Sequence, residues 1–238
     1  NIGFSLRAFY KKSFRMPTFN DLYYAEMGNS KLNPEYTTQY DVGFAYFSPR
    51  MKGILYEWAV QVDGYRNFVS DKIVAYPKGA QFRWTMLNLG KVHINGLDAK
   101  VSATLRPLRK LYVTTRLQYT YQQAIDVTNP ADTYYRDQIP YIPWNSGSAV
   151  VQMDYGTWGL NYSFIYTGER YNQQENIIYN HTQPWYTHDF SLQKSFGWKG
   201  YKARVALEVN NLLSQDYDVI LNYPMPKRNY RLTLTFEM

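Results

Sequence analysis

The chain has 238 residues, a formal net charge of +7 and no cysteine. The lack of cysteine excludes a disulfide scaffold, thiolate metal sites and thiol catalysis, and the lack of any apolar run of 18 residues excludes a transmembrane helix. Hydrophobic residues make up 45% of the chain, which is enough to exclude wholesale disorder.

Aromatic residues are unusually frequent. The chain has 25 Tyr, 12 Phe and 6 Trp, which together are 18% of its residues. Tyrosine and tryptophan in such excess are typical of β-proteins with one wet face and one apolar face. Carbohydrate-binding β-proteins and outer-membrane β-barrels both have this composition.

Apolar and polar residues alternate with a period of two along most of the chain, which predicts strands and no sustained helix. In the segment 110–122, for example, Leu111, Val113 and Leu117 share one parity while Lys110 and Arg116 share the other. Ten strands are predicted in chain order at 1–10, 37–47, 56–76, 82–106, 110–124, 145–154, 158–169, 186–196, 201–210 and 228–238. One short helical turn is predicted near 20–26.

The predicted connections alternate between tight turns and long loops. The short ones are 48–55, 77–81, 107–109, 155–157 and 197–200, and the long ones are 11–36, 125–144, 170–185 and 211–227. Outer-membrane barrels place short turns in the periplasm and long loops outside, whereas a soluble sandwich has no reason to sort its connections in this way. Aromatic residues also gather near strand ends, as in interfacial girdles. The predicted fold is therefore all-β, an antiparallel transmembrane β-barrel wall of about ten strands.

Four segments resemble the C-terminal part of TonB-dependent outer-membrane receptors. They are 13–23 with 28–35, 88–99, 166–171, and 209–217 with 223–232, in the order and spacing of that family. The family motif residues that the chain retains are Phe14, Arg15, Pro17, Asn33, Pro34, Glu35, Asn211, Pro224 and Arg228. The sequence departs from the family pattern at Met16, Asp21, Ser30 and Asp98, and at Met238, where a terminal Phe or Trp is usual.

The resemblance implies a 22-stranded barrel with an N-terminal plug. Residues 1–238 would be the last ten strands, with the plug and the first strands absent. It also implies the outer membrane of a Gram-negative bacterium as the location. The implied partners are outer-membrane lipid and lipopolysaccharide, the plug and remaining strands from the same or another chain, the TonB complex, and a surface lipoprotein. The charge of +7 requires no nucleic acid, and no cofactor, metal or catalytic residue is expected.

Within the family, the sequence is most similar to vitamin B12 (cobalamin) receptors, through segments 64–73 and 90–99. A ferric siderophore receptor is the alternative, since much of that similarity is shared. Large planar ligands are gripped by aromatic faces with a few hydrogen-bonding groups. Candidate contacts are Tyr134, Tyr135, Arg136, Tyr171, Gln173, Tyr179, Trp185 and Tyr223, whose alternative role is packing loop against loop. The motif residues are expected to shape loops instead.

Three other functions compete with nutrient import. An outer-membrane protease would need clustered carboxylates and a histidine, and the loops offer Asp126, Asp132, Asp137, Glu169, Glu175 and His181 in no recognisable arrangement. A soluble glycan-binding protein would not explain the sorted loops, and a porin would not explain the four segments. Among the other polar residues, His93 is expected at the lumen or rim, and Lys100, Arg116 and Arg204 are expected to line the lumen and pair with plug carboxylates.

Overall fold

The structure, a computed structural model, describes residues 3–77, 84–198 and 201–237. Ten long strands form its framework: β1 (Gly3–Arg15), β2 (Glu35–Phe47), β3 (Leu55–Pro77), β4 (Trp84–Leu108), β5 (Leu111–Asp126), β6 (Asn145–Tyr155), β7 (Trp158–Thr167), β10 (Trp185–Trp198), β11 (Tyr201–Asn210) and β14 (Asn229–Glu237). The loops contain helix α1 (Phe19–Tyr23), a 3-10 helix (Ile178–Asn180) and the short strands β8 (Arg170–Tyr171), β9 (His181–Thr182), β12 (Asp218–Ile220) and β13 (Tyr223–Pro224).

The ten long strands form one antiparallel meander. Their order is β1-β2-β3-β4-β5-β6-β7-β10-β11-β14, so each strand pairs with its neighbours along the chain. The short strands form two separate ribbons, β8 with β9 and β12 with β13. The prediction of an all-β antiparallel fold with ten strands is confirmed, and so is the helical turn, which is α1. Across the described ranges, no helix is both long and apolar enough to cross a membrane.

The first predicted strand is too short. Residues 11–15 were expected in a loop, but they continue the ladder up to the pair between Arg15 and Glu35. Their polar side chains interrupt the apolar alternation, which is why the sequence pattern ends the strand too early. The short strands β8, β9, β12 and β13 also lie in segments predicted as loops.

Three sequence predictions fall on residues outside the described part of the chain. They are most of the turn at 77–81, the second half of the turn at 197–200, and the terminal position of Met238. The described short connections at 48–54, 109–110 and 156–157 all lie at one end of the sheet. The long loops 16–34, 127–144, 168–184 and 211–228 all lie at the other end.

One side of the sheet is polar, and we call it the inner face. Arg7 lies opposite Gly43, which lies opposite Asp63, and this row continues through Asp98 to Thr120. Directly opposed residues on neighbouring strands point to the same side of a sheet. The Arg7 guanidinium pairs with the carboxylate of Asp63. By the same register, Lys100, Arg116 and Arg204 lie on the inner face, as predicted.

The other side is apolar, and we call it the outer face. A typical row runs from Leu6 through Phe44, Val62 and Ala99 to Tyr119. On the last strand Leu232, Leu234 and Phe236 are 65%, 57% and 74% exposed. Because no other part of the described chain covers these large apolar side chains, the sheet is a wall with hydrocarbon-like residues outside, and is not one layer of a sandwich.

Aromatic rings line both ends of the outer face. At the turn end the rings of Tyr46 and Trp58 are 4.7 Å apart. At the loop end the ring centroids run from Tyr10 to Tyr40 (5.1 Å), then to Phe68 (6.2 Å) and His93 (4.8 Å). His93 therefore belongs to the outer row of rings, so of the expected positions, lumen or rim, the lumen is wrong and the rim agrees with the structure. Its neighbours are polar in sequence, but its register places it on the side of Phe68.

The two faces exchange roles near the top of the β3–β4 hairpin. Below Asp71, the buried cluster contains Val69 and Val92, which lie on the inner face. Above it, the same cluster continues through Val74, Leu87 and Leu89, which have the opposite parity. Asp71 has a positive φ of 55° and is unpaired with the residue opposite. The alternation therefore shifts by one residue at this point.

Candidate functional site

Three long loops contact one another at the loop end of the sheet, and we call them the roof. They are 127–144, 168–184 and 211–228. The first loop folds back along the part of β5 that extends beyond β6, which pairs with β5 only up to Tyr121. This placement covers a free strand edge, which would otherwise leave backbone groups without partners.

Gln138 attaches the first loop to the sheet. Its side chain is fully buried, and its Oε1 accepts a hydrogen bond of 2.7 Å from the backbone N–H of Ala124. Its Nε2 donates to the carbonyl oxygens of Gln122 (3.0 Å) and Ile142 (3.2 Å). Ile139, the next residue, enters the buried cluster on the inner face. One side chain thus replaces the missing strand neighbour and brings an apolar residue into place.

Asn176 joins the first loop to the second. Its Oδ1 accepts from the Gln138 backbone N–H at 2.8 Å, and its Nδ2 donates to the Gln138 carbonyl at 3.0 Å. Its own N–H donates to the Asp137 carboxylate at 2.8 Å. The hydroxyl of Thr133 adds a hydrogen bond to the Glu175 carboxylate. The two loops therefore meet through several polar contacts and form one unit.

Arg170 joins the second loop to the third. Its side chain is 2% exposed, and its Nη2 donates to the carbonyl oxygens of Asp218 (2.7 Å) and Val219 (3.1 Å). Its Nη1 donates to the carbonyl of Gln183 at 3.3 Å. Burial lowers the pKa of the Arg170 guanidinium, and burial also raises the pKa of the neighbouring Tyr141 phenol. The guanidinium of Arg170 thus binds backbone carbonyl groups of the protein itself.

Asn211 shapes the third loop. It is 4% exposed, and its backbone N–H donates to the Asp189 carboxylate on the inner face at 2.7 Å. Its side chain bonds both the N–H and the carbonyl of Gln215, at 2.9 and 2.8 Å, and also reaches the carbonyl of Pro226 at 3.3 Å. These contacts fit the loop-shaping role expected of the motif residues. Pro224 lies in β13, and Arg228 is exposed.

The loop 16–34 has its own local fold. Thr18 and Asp21 form a capping box at the start of α1, and Arg15 pairs with Asp21 at 3.1 Å. Burial by itself would raise the pKa of Asp21, but the hydrogen bonds from Thr18 and the charge of Arg15 outweigh it and lower the pKa. Glu35 accepts from the Ile73 N–H at 3.0 Å.

The other motif residues of this loop are divided between strand and loop. Phe14 stacks near Tyr36 on the outer face, with ring centroids 6.4 Å apart. Asn33 exchanges hydrogen bonds with the Asn88 side chain at 2.9 and 3.1 Å. Pro17 and Pro34 flank the loop next to the ends of β1 and β2.

Two of the predicted contact residues line one polar depression of about 350 Å³ between the first two roof loops. They are Tyr134 and Gln173, and the remaining lining residues are Gln174, Glu175 and Asn180. Tyr135 and Arg136 lie on the same loop and are exposed. The backbone N–H of Arg136 donates to the carbonyl of Asp126 at 2.7 Å, so Arg136 also helps to hold the loop against β5.

Trp185 lines a second depression of about 380 Å³, between the second and third roof loops. Its indole stacks on the Tyr217 ring at 4.6 Å, and burial raises the pKa of Tyr217. Tyr171 packs against His181 with ring centroids 5.8 Å apart. Tyr179 is 90% exposed and Tyr223 is 50% exposed, and neither lines either depression. The predicted contacts are therefore distributed over two depressions and the open surface.

Sequence reasoning missed the residues that build the roof. Gln138 and Asn176 are polar residues in long loops, and no periodicity marks them for burial. Arg170 lay within the family-like segment 166–171, which was the one available signal. Of the acidic and histidine residues of the loops, His181 lies 3.2 Å from Glu169, but among the residues described no three His, Asp or Glu side chains are placed to hold a metal ion.

A family model described as "TonB dependent receptor-like, beta-barrel" matches residues 3–212. The vitamin B12 transporter BtuB of Photobacterium profundum is 24% identical over 229 residues, which cover 94% of this chain and 34% of that protein. BtuB of Vibrio vulnificus is 33% identical over 85 residues, which are 36% of this chain and 13% of that protein.

Solved structures share the fold. The ferric preacinetobactin receptor BauA from Acinetobacter baumannii superposes with a TM-score of 0.69 at 15% identity, covering 98% of this chain and 34% of that one. The ferric citrate transporter FecA gives a TM-score of 0.68 at 15% identity, covering 96% and 35%. The copper transporter OprC gives 0.68 at 15% identity, covering 95% and 36%. The chain thus spans about a third of the length of these relatives.

Proposed function

Because the chain belongs to the TonB-dependent receptor β-barrel family, we propose that it is part of the wall of an outer-membrane receptor that imports a bulky nutrient, with cobalamin as the first candidate. The observation that carries the proposal is the 229-residue match to a vitamin B12 transporter on a sheet with one apolar and one polar face. In this proposal, residues 1–238 are the C-terminal part of the barrel in a Gram-negative outer membrane. A plug and further strands complete the barrel.

The charge of the roof supports an uncharged ligand. The three roof loops carry six carboxylates and four basic side chains, although the whole chain has a net charge of +7. Of the four bases, Arg170 is buried against carbonyls and Lys227 pairs with Asp216 at 2.9 Å. A polyanionic chelate would find few available cations here. A corrinoid presents neutral carboxamide groups, which amide and phenol side chains can bind.

The two depressions supply the proposed contacts. Tyr134 and Gln173 would bind polar groups of the ligand in the first, and Trp185 would bind an apolar face in the second. Tyr135, Arg136, Tyr171, Tyr179 and Tyr223 surround them as further candidate contacts. Import by such a receptor forms and breaks no covalent bond of the nutrient, so the proposal assigns no catalytic residue and no cofactor.

A ferric siderophore is the second candidate ligand. BauA and FecA, whose structures superpose on this chain, are named as a ferric preacinetobactin receptor and a ferric citrate transporter. The Arg136 and Arg228 side chains are exposed and could meet an anionic chelate. This candidate ranks second because carboxylates outnumber basic side chains in the roof.

The proposed partners follow from the two faces. The outer face contacts membrane lipid and lipopolysaccharide. The inner face contacts the plug, whose carboxylates would pair with Lys100, Arg116 and Arg204. The TonB complex would act on the N-terminal part of the whole protein, and a surface lipoprotein is a further candidate partner.

Uptake of labelled cobalamin in a strain that lacks the gene tests the proposal. We expect uptake to fall to background and to return when the full-length gene is supplied. Uptake of labelled ferric citrate, measured in parallel, should not change. Unchanged cobalamin uptake together with a loss of iron uptake would replace cobalamin by a ferric chelate.

Variants of the full-length receptor then test the contacts. Gln173→Ala and Trp185→Ala should weaken cobalamin binding by about tenfold each, because each removes one hydrogen-bonding or stacking group. Ile178→Ala is the matched control, since its side chain is 80% exposed, lines neither depression and is not a candidate contact. Equal affinities for all four proteins would place the ligand elsewhere.

A further inference from the structure

The charges of the outer face are few and of one sign. In the register below Asp71, the outer-face positions of the described strands carry four cations and no carboxylate. The cations are Lys12, Arg66, Lys91 and Lys194. A charged side chain on the lipid face is destabilising at the middle of the bilayer and costs little near its interfaces. These four residues should therefore lie at the two interfaces.

Their positions agree with this expectation. Lys194 lies at the turn end of the wall, with its Nζ 4.0 Å from the centre of the Trp158 ring. The other three lie at the loop end, in three adjacent rows. Lys12 shares a row with Phe68, Arg66 lies one row below it, and Lys91 lies one row above it. The three side chains are all exposed.

These three cations have no acidic partner within the described structure. The inner-face arginine Arg7 pairs with Asp63, and Arg231 pairs with Glu208. No ion pair is formed by Lys12, Arg66 or Lys91 among the described residues, and the Arg66 guanidinium lies 5.0 Å from the centre of the Phe68 ring. With no carboxylate beside them, these three exposed charges are available to an external anion.

We propose that Lys12, Arg66 and Lys91 bind the phosphate groups of a lipopolysaccharide lipid in the outer leaflet. Adjacent strands are about 4.8 Å apart, so the cations on β1, β3 and β4 span about 14 Å, which can accommodate more than one phosphate. The Tyr10 and Tyr40 rings lie in the row of Arg66, below Lys12 and Lys91, and would contact the start of the acyl chains. Phosphate is the anion that arginine and lysine bind best in this setting.

The proposal rests on the outer-membrane location proposed above but not on the identity of the nutrient. It requires the loop end of the wall to face outward, as long loops do in such barrels. Lipid binding and nutrient uptake are measured separately. A receptor that imports iron and not cobalamin would therefore leave this inference intact, whereas absence of the wild-type protein from the outer membrane would refute the location instead.

The test uses the full-length receptor with three substitutions, Lys12→Gln, Arg66→Gln and Lys91→Gln. The matched control removes three charges at the turn end, with Arg50→Gln, Lys52→Gln and Arg109→Gln. Each protein is folded into detergent, its folding is checked by heat-modifiable mobility, and binding of lipid A and of phosphatidylglycerol is measured by native mass spectrometry. We expect the triple variant to bind lipid A at least about tenfold more weakly, and the control to bind as the wild type does.

Two results would overturn the proposal. Retention of wild-type affinity for lipid A in the folded triple variant would remove the phosphate site altogether. An equal fall in the binding of lipid A and phosphatidylglycerol would remove the assignment to lipopolysaccharide. A variant that retains phosphatidylglycerol binding and loses lipid A binding would support it.

Discussion

The wall below Asp71 and the roof above it are held together by different kinds of contact. The wall depends on continuous backbone ladders and on side chains sorted to two faces. The roof depends on single buried polar side chains, of which Gln138 and Arg170 make three hydrogen bonds each. The effect of a substitution in the wall should therefore depend on whether it lies on the apolar or the polar face. In the roof, it should depend on which single residue is replaced.

The difference also concerns charge. On the inner face of the wall, Arg7 pairs with Asp63, and exposed cations remain beside them for other partners. In the roof, the guanidinium of Arg170 donates hydrogen bonds to carbonyl groups of a neighbouring loop. Exposed wall cations such as Lys100 are therefore available to a partner, whereas Arg170 in the roof is part of the architecture. The proposed lipid site and the proposed nutrient site follow this division.

The strongest way to break the comparison is to place a charge on the outer face. Val101 is the centre of the apolar outer run from Leu97 to Leu105 on β4. Val101→Arg should destabilise the full-length receptor by about 2–4 kcal/mol, because a guanidinium near the middle of the bilayer loses its hydration. Urea titration of the receptor folded in lipid vesicles measures this change.

The neighbouring residue is the control for that experiment. Ser102 follows Val101 and lies on the inner face, opposite Arg116. Ser102→Arg should change the unfolding free energy by less than about 1 kcal/mol, since its charge points to the polar side and solvent screens its repulsion with the exposed Arg116. Equal losses for the two variants would mean that both sides of the wall meet the same environment.

The roof is tested by removing one amide. Gln138→Ala would leave the buried N–H of Ala124 without its acceptor, which costs about 1–3 kcal/mol. The effect should stay within the roof, so protease cleavage in the loop 127–144 should be about tenfold faster or more, with no change in the urea midpoint of the barrel.

Gln118 is the matched control, because it is an exposed glutamine on the inner face of β5, the strand to which Gln138 attaches its loop. Gln118→Ala should leave the cleavage rate as it is. If Gln138→Ala lowers the barrel midpoint as much as it loosens the loop, then roof and wall are one cooperative unit.

The smallest effect concerns pH and the loop 16–34. The pKa of Asp21 is lower in the folded loop than in the unfolded chain, so its contribution is present above about pH 4 and is lost as the pH falls through the lowered pKa. The gain is less than about 1 kcal/mol, because Arg15 is half exposed and solvent screens its charge.

Hydrogen-exchange protection of the amides of α1, corrected for intrinsic rates, measures this dependence between pH 6 and pH 3, a span chosen around the usual aspartate pKa of about 4. Protection should fall with pH in the wild type and be independent of pH in Asp21→Asn. A pH dependence that persists in Asp21→Asn would show that Asp21 is not its source.

The strands could be predicted because their environment repeats every two residues. In a segment such as 110–122, apolar and polar residues alternate in the sequence, and the structure places them on opposite faces as expected. The pattern failed at Lys11, Lys12 and Ser13, where three polar residues in succession remain in the ladder. Backbone pairing holds them there, and backbone pairing leaves no trace in side-chain polarity.

The roof could not be predicted for a related reason. Arg170 and Asp218 are 48 residues apart, and their contact runs from a side chain to a backbone carbonyl. A carbonyl acceptor is present at every residue, so no sequence pattern points to this one. The candidate contacts Tyr134 and Gln173 fall in one depression only because Asn176 and Gln138 draw their loops together.

The left-handed residue Asp71 marks the point on β3 where the rule of substitution changes. Below it the two faces differ, so odd-numbered positions such as Gln61 should accept polar residues and even-numbered ones such as Val62 should not. Above it, Ile73 is 4% exposed and Val74 packs against the buried cluster, so neither parity should accept a polar residue. A deep mutational scan would show the alternating tolerance profile ending at Asp71. One hairpin is thus a two-faced wall at its base and part of a protein interior at its tip.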